Sequence, residues 1–283
     1  MDPALKLTPL KVQSLLKHYS LFPKKSLGQN FLVDNQALEK VSDAAGDLQG
    51  RVVLEIGPGL GSLTRVLCQK ASKVIAVELD RKMIPVLNEV LEPFQNVEIV
   101  QGDILKIIPS DLIPDSGYYV VANIPYNITS AIIRHLLETT SKPEKIVLTI
   151  QQEVAQRICA LPGDSSMLSL SVHVFGNPKI VGKIPAGAFF PVPDVDSAIL
   201  RVDLHAIPLI SPDKLDTFFV IARAGFSQKR KTLRNALAAG LRMPSNEVVK
   251  LLNISGIDPM RRAETITIEE WKNLTENYLS RSR

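Results

Sequence analysis

Short runs rich in β-branched residues, at 51–56, 73–78, 97–101, 118–123 and 145–151, alternate with stretches of helical spacing at 61–71, 83–91 and 130–139. Each run has the length and character of a buried strand, and strands separated by helices imply a parallel sheet covered on both faces. After residue 160 the alternation changes. Residues 168–174, 179–184 and 197–204 read as strands with little helix between them, which predicts antiparallel pairing at one edge of the sheet. Pro208 and Pro212 flank Ser211 and mark a linker and a helix start. Beyond them the chain reads as helices only. Leu215, Phe218, Phe219 and Ala222 share one helical face, as do Val248, Leu251 and Leu252.

A chain of 283 residues with 45% apolar content can bury one large core and a small second domain. It has no run of 18 apolar residues, so no membrane span is expected. The N-terminus lacks the apolar core of a secretory signal, and it has no arginine before Arg51, which argues against a mitochondrial presequence. Cys68 and Cys159 are far apart and form no CxxC pair, as expected of reduced thiols in a cytoplasm. The histidines are scattered and show no metal-ligand spacing, so no metal is expected. Residues 206–283 hold 13 Lys/Arg against 8 Asp/Glu and so carry the whole of the chain's +4 excess. A run like this is often only a solvated face. Concentrated on one module, it fits a polyanionic partner better.

The first chemical motif is Val53-Leu54-Glu55-Ile56-Gly57-Pro58-Gly59-Leu60-Gly61, a strand entering a glycine-rich turn. Glycine permits positive φ and lets a ligand approach the backbone, although the same turn also occurs as a purely structural one. The spacing is G-x-G-x-G. A dinucleotide fingerprint would need Gly or Ala at Ser62. Glu78 ends the second strand, in register with that loop, where an acid can accept both ribose hydroxyls of a nucleoside. It does not separate NAD from S-adenosylmethionine (SAM), since both carry the ribose. Asp103 follows the third strand, where it could accept from a ligand adenine amine or cap a helix.

Asn123-Ile124-Pro125-Tyr126 closes the fourth strand. Elsewhere it would be a turn carrying an aromatic. At the carboxyl end of a sheet, beside a nucleoside site, it suits chemistry on an adenine amine. The lone pair of that amine is delocalised into the ring, and two acceptors aimed at its hydrogens draw the nitrogen toward tetrahedral geometry. The Asn123 side chain and the Pro125 carbonyl can supply them, proline has no N–H to compete, and Tyr126 can stack on the base. The methyl donor SAM is already cationic, so orientation rather than a strong base carries most of the catalysis.

With these motifs assembled, the sequence resembles the kasugamycin-sensitivity family of rRNA adenine dimethyltransferases over nearly its whole length. The resemblance includes Lys24-Lys25-Ser26-Leu27-Gly28-Gln29-Asn30-Phe31-Leu32, a lip at the N-terminus. It also includes residues 151–157, Phe189-Phe190-Pro191-Val192-Pro193-Asp194-Val195-Asp196-Ser197, and Phe226-Ser227-Gln228-Lys229-Arg230-Lys231-Thr232-Leu233. One departure is 161–167, which lacks the Tyr-Gly pair of the family pattern.

The resemblance implies an α/β fold. Residues 1–205 would form a Rossmann-like, seven-stranded SAM-dependent methyltransferase domain and 206–283 a small all-α domain that holds RNA. It implies that Asn30 and Leu32 line the SAM pocket with Gly57, Gly59, Glu78, Asp103 and Asn123. It further implies dimethylation of two adjacent adenosines in a hairpin near the 3′ end of small-subunit rRNA, with the immature small ribosomal subunit as partner, in a cytoplasmic monomer. One of Phe189 and Phe190 is expected to sandwich the flipped adenine opposite Tyr126; sequence does not choose between them. Lys24 and Lys25, with Arg223, Lys229, Arg230, Lys231 and Arg234, are the expected RNA-binding residues, the last few on a helix starting near Ser227. The rivals are a macrolide-resistance type enzyme acting on large-subunit rRNA, a non-catalytic assembly or transcription factor, and a dinucleotide oxidoreductase. The last would lack a proton-transfer residue at the fourth strand.

Overall fold

The computed structural model describes residues 7–115 and 117–281. The chain divides into two compact units. One comprises residues 7–155 with Pro178–Leu204, the other Gln156–Asn177 with residues 205–281.

The first unit is built on a sheet. In chain order the strands are β1 (Phe31–Leu32), β2 (Val52–Ile56), β3 (Lys73–Glu78), β4 (Val97–Gln101), β5 (Tyr119–Asn123), β6 (Lys145–Gln151), β7 (Gly176–Ile184), β8 (Phe189–Phe190) and β9 (Ser197–Leu204). Seven form one sheet in the order β4-β3-β2-β5-β6-β9-β7. The strands from β4 through β6 pair in parallel, and β9 runs antiparallel to β6, from Lys145 opposite Asp203 to Gln151 opposite Ser197. The expected parallel sheet with an antiparallel edge is therefore present. Its β-branched interior is nearly dry: Val53, Leu54, Val120, Val121, Val147 and Leu148 have no exposed surface. Strands covered on both faces read as continuous apolar runs for this reason.

Strand order reverses between β2 and β5. From β2 the chain steps outward to β3 and β4, then crosses back to β5 on the other side. The connections leaving two adjacent parallel strands in opposite directions open a crevice at their carboxyl ends, the usual ligand position in open α/β sheets. Gly57, Glu78 and Asn123 all stand at those ends. A small second sheet pairs β1 with β8, Phe31 opposite Phe190 and Leu32 opposite Phe189. Asp34 then caps helix Asn35–Ala44 by accepting the Ala37 N–H at 2.8 Å, which fixes where the lip ends.

The second unit is helical. Helices Leu215–Phe226, Leu233–Gly240, Ser245–Ile254 and Ile268–Ser280 surround Phe218, Leu233, Leu237, Val248, Leu251, Leu252 and Trp271, all essentially unexposed. Phe226 stacks on Trp271 with ring centroids 5.8 Å apart. Gly225 lets that indole approach, since a Cβ there would lie 2.5 Å from the ring. Thr267 and Glu270 close a reciprocal capping box on the last helix.

Two local expectations are corrected. Residues 168–174 form part of a helix, Met167–Phe175, rather than a strand. Leu-Ser-Leu-Ser-Val-His-Val alternates with a period of two, which imitates a strand. Ser166 overrides that pattern by capping the helix reciprocally with Ser169, and the Ser171 hydroxyl is satisfied inside the helix by the Met167 carbonyl at 2.7 Å. This stretch groups with the C-terminal helices rather than with the sheet domain expected over residues 1–205. The Gly163 N–H and the Ser165 hydroxyl both donate to the Glu264 carbonyl, each at 2.8 Å. The second correction concerns the expected helix from Ser227. Residues 227–232 are a turn between helices, so Lys229, Arg230 and Lys231 stand on that turn and Arg234 on the first turn of the next helix.

Candidate active site

A cavity opens at the carboxyl ends of β2 to β5, walled by the glycine loop, the strand ends and the N-terminal lip. The glycine loop contributes Gly57 and Gly59, the strand ends contribute Glu78, Asp103 and Asn123, and the N-terminal lip contributes residues 26–32, Asn30 and Leu32 among them. Pro125 and Tyr126 complete the wall beyond β5. Neither Phe189 nor Phe190 lines it.

The loop after β2 turns on three glycines with positive φ, +70° at Gly57, +58° at Gly59 and +84° at Gly61. A side chain at Gly59 would lie 2.9 Å from the Phe31 ring, so the lip packs directly on the loop. A Cβ at Gly57 would meet nothing within 4 Å and would occupy open space at the cavity wall. The loop is therefore shaped for close approach of a ligand.

Glu78 is 6% exposed. Its carboxylate accepts the Gly59 N–H at 3.0 Å and the Asp80 N–H at 2.7 Å. Burial raises its pKa, and those two backbone donors work against the rise. A carboxylate oxygen can accept more than one hydrogen bond, so capacity remains for two vicinal hydroxyls. Asp103 is half-buried, and one of its oxygens accepts the Leu105 N–H at 3.1 Å. The turn-capping role and the ligand-facing role left open in the sequence are compatible in this geometry. Glu55, one residue before the end of β2, also lines the cavity. It is 1% exposed, and burial pushes its pKa up to about 8, with the Thr64 hydroxyl opposing the rise and the Glu78 charge adding to it.

Asn123 ends β5, and its Nδ2 donates to the Asn30 carbonyl at 2.9 Å. That bond fixes which end of the amide is which, leaving Oδ1 as an acceptor on the other side. The lip reaches Asn123 because Gly28 (φ +61°) fits against Pro125, where an added Cβ would stand 3.0 Å from the proline Cβ. The Pro125 carbonyl accepts a long hydrogen bond, 3.4 Å, from the Ile128 N–H. The half-buried Tyr126 is pinned through its hydroxyl, 2.7 Å from Ser197 Oγ at the start of β9. The structure also separates the phenylalanine pair: Phe189 is 2% exposed and belongs to the hydrophobic core, while Phe190 is half-buried.

Lys24 is not a free cation. Its Nζ donates to Asp80 Oδ2 at 2.8 Å, and Gln29 Nε2 reaches the same oxygen at 3.3 Å. The Lys25 side chain lies outside the described residues. In the helical unit Arg223, Lys229, Arg230 and Lys231 are exposed and Arg234 is partly so. Sequence reasoning missed Asp80, Ser197 and the role of Gln29. Asp80 carried a usable signal, an acid two residues beyond Glu78 and ahead of a helical turn; Ser197 carried none. Among the described residues no three of His, Cys, Asp and Glu converge as a metal site would require, and no helix is long and apolar enough to cross a membrane.

Residues 22–279 match a family profile described as ribosomal RNA adenine dimethylase. A protein of Dehalococcoides mccartyi (strain CBDB1), named ribosomal RNA small subunit methyltransferase A, is 45% identical over 95% of this chain and 92% of its own length. A relative of the same name from Alkaliphilus metalliredigens (strain QYMF) is 39% identical over 97% of this chain and 98% of its own length. Among solved structures, a dimethyladenosine transferase from Plasmodium falciparum superposes with a TM-score of 0.76 at 25% identity, covering 88% of this chain and 97% of that one. The 23S rRNA methyltransferase ErmE superposes with a TM-score of 0.70 at 30% identity, covering 88% and 99%.

Proposed function

The chain belongs to the ribosomal RNA adenine dimethylase family, and on that premise we propose how its cavity carries out the reaction. The protein is an rRNA adenine N6,N6-dimethyltransferase of the small-subunit type. Its substrate in this reading is a pair of adjacent adenosines in a hairpin near the 3′ end of small-subunit rRNA. The immature small ribosomal subunit is its partner, and one cytoplasmic copy of the chain acts alone.

SAM fits the residues present. Glu78 would accept the ribose hydroxyls, Asp103 would face the adenine amine, and the open space over Gly57 admits the ligand to the backbone. SAM supplies a methyl group on a cationic sulfur, so the acceptor needs no strong base. The protein's task is to present the adenosine nitrogen. Asn123 carries that role: its donor end is held by the Asn30 carbonyl, so its acceptor end faces the amine. In the first transfer the Pro125 carbonyl accepts the second amine hydrogen, and in each transfer the proton that the nitrogen sheds on taking the methyl group passes to solvent. Tyr126, anchored on Ser197, stacks on one face of the flipped base, and the half-buried Phe190 is the better candidate of the pair for the other face. Pre-orientation of this kind lowers the barrier without chemical participation by the side chains.

In the helical unit, the exposed cations Arg223, Lys229, Arg230, Lys231 and Arg234 would hold RNA phosphates. The oriented Asn123 amide is the single observation that carries an active enzyme over a binding factor. The rival that acts on large-subunit rRNA shares the fold. Labelled-methyl transfer to immature small subunits, naked small-subunit rRNA and large-subunit rRNA separates the two: incorporation is expected in the small-subunit substrates, and incorporation into large-subunit rRNA alone would overturn the assignment.

A further inference from the structure

The lip that forms one wall of the cavity is held toward both of its ends. Residues 26–32 form one wall of the cavity. At the C-terminal end of that stretch, β1 pairs with β8 and the Asn30 carbonyl receives Asn123. Toward the other end a buried carboxylate, Asp80, which is 7% exposed, receives two side chains of the Lys24–Gln29 turn. Its Oδ2 accepts from Lys24 Nζ at 2.8 Å and Gln29 Nε2 at 3.3 Å, while its Oδ1 accepts the Lys82 N–H at 3.2 Å. Gln29 also folds back on the lysine: its Oε1 accepts the Lys24 N–H at 2.8 Å, and its own N–H reaches the Lys24 carbonyl at 3.3 Å. The same Asp80 donates its backbone N–H to Glu78 Oε1 at 2.7 Å. One residue thus joins the lip through its side chain and the proposed ribose acceptor through its backbone.

We propose that Asp80 is a positioning residue that latches the Lys24–Gln29 turn over the cofactor cavity and thereby slows escape of bound SAM or S-adenosylhomocysteine. Lys24 then belongs to the cofactor side of the enzyme rather than to its RNA-binding surface. A charge-assisted pair with a buried partner is stronger than a neutral hydrogen bond, and Asp80 is held below the ordinary carboxylate range in spite of its burial, with Lys24 the main opposing influence. Without the latch a smaller fraction of the protein is in the closed, binding-competent form, and apparent affinity falls by that fraction.

The proposal rests on the SAM reading of the cavity. The test is S-adenosylhomocysteine binding to the full chain, with equilibrium affinity by calorimetry and dissociation rate by displacement. Asp80→Asn keeps an acceptor for the Lys82 N–H and removes the charge; Lys24→Met removes the charge from the other side. Each is expected to weaken binding by about tenfold, with the change in the dissociation rate. The double variant is expected to be no weaker than either single one, and Lys24→Arg to retain most of the affinity. In steady state the KM for SAM should rise more than kcat falls. Lys24→Met should leave the salt dependence of RNA binding as it is in the parent. Unchanged dissociation rates in either folded variant, fully additive effects in the double variant, or a flattened RNA salt slope in Lys24→Met would each overturn the latch. If the unaltered protein failed to bind S-adenosylhomocysteine, the cofactor reading itself would fall, an outcome distinct from all of these.

Discussion

Replacing Asn123 by alanine removes two things that the geometry separates. Nδ2 donates to the Asn30 carbonyl at 2.9 Å, so truncation leaves that part-buried acceptor without its partner. The expected cost is about 1 kcal/mol of local stability, of the size usual for removal of a neutral hydrogen bond. The larger effect falls on the transition state. Oδ1 is the side-chain acceptor that β5 itself presents at its end, and removal of one pre-oriented group at a reacting centre typically slows chemistry by about 10² to 10³. That corresponds to roughly 2.7–4 kcal/mol of barrier. Asn123→Asp is the informative companion. It keeps an acceptor but loses the donor to Asn30 and sets a carboxylate against a carbonyl, so it should be impaired on a similar scale if orientation is what matters. The assay is single-turnover transfer of a labelled methyl group at saturating RNA, with RNA affinity measured separately and expected to stay near that of the parent. An Asn123→Ala rate within fivefold of the parent would mean that something other than Asn123 orients the nitrogen.

Other perturbations address the remaining parts. Glu78→Ala should weaken SAM binding by roughly 1.5–3 kcal/mol, the range for removal of a charged acceptor; calorimetry on the folded variant showing unchanged affinity would remove Glu78 from the site. Neutralising Lys229, Arg230 and Lys231 together should weaken RNA binding and reduce the slope of log affinity against log salt by about 0.7–0.9 for each phosphate left without its cation, with SAM affinity unchanged; equal slopes would mean that this turn does not touch RNA. Glu55 has a folded pKa raised to about 8 from an ordinary 4.5. Its contribution to stability is therefore complete below about pH 4.5 and lost as pH rises toward 8. Unfolding midpoints across that window should decline in the parent and decline less in Glu55→Gln; parallel curves would show that Glu55 is ionised when folded.

Much of the fold was legible because its physical cause is local. β2, β3, β5 and β6 are largely buried on both faces, so each announced itself as an apolar, β-branched run, and the half-exposed edge strand β4 showed itself by its alternating Val97, Ile99 and its position after a helix. Gly57, Glu78, Asp103 and Asn123 were found because the ends of parallel strands recur at fixed registers. Helix Met167–Phe175 was not legible, since its period-two pattern favours a strand and the Ser166 cap opposes it. The turn at 227–232 hid within a run of good helix formers. Within the site, the missing information was long-range. Gln29 meets Asp80 across 51 residues and Tyr126 meets Ser197 across 71, pairings that no local pattern encodes. Phe189 and Phe190 could be told apart only once β8 had a partner strand, which buried Phe189 in the core.

In the proposed reaction this cavity turns adenosine into N6,N6-dimethyladenosine at a defined pair of sites. The direct measurement is mass mapping of small-subunit rRNA after reaction with the purified protein and SAM, with the RNA taken from a source that lacks the modification. Two dimethylated adenosines, adjacent to each other, are expected in the hairpin near the 3′ end, with four methyl groups transferred per RNA at completion. Methylation confined to any other nucleotide, a product that stops at N6-monomethyladenosine, or no transfer by a protein that binds both SAM and RNA would contradict it.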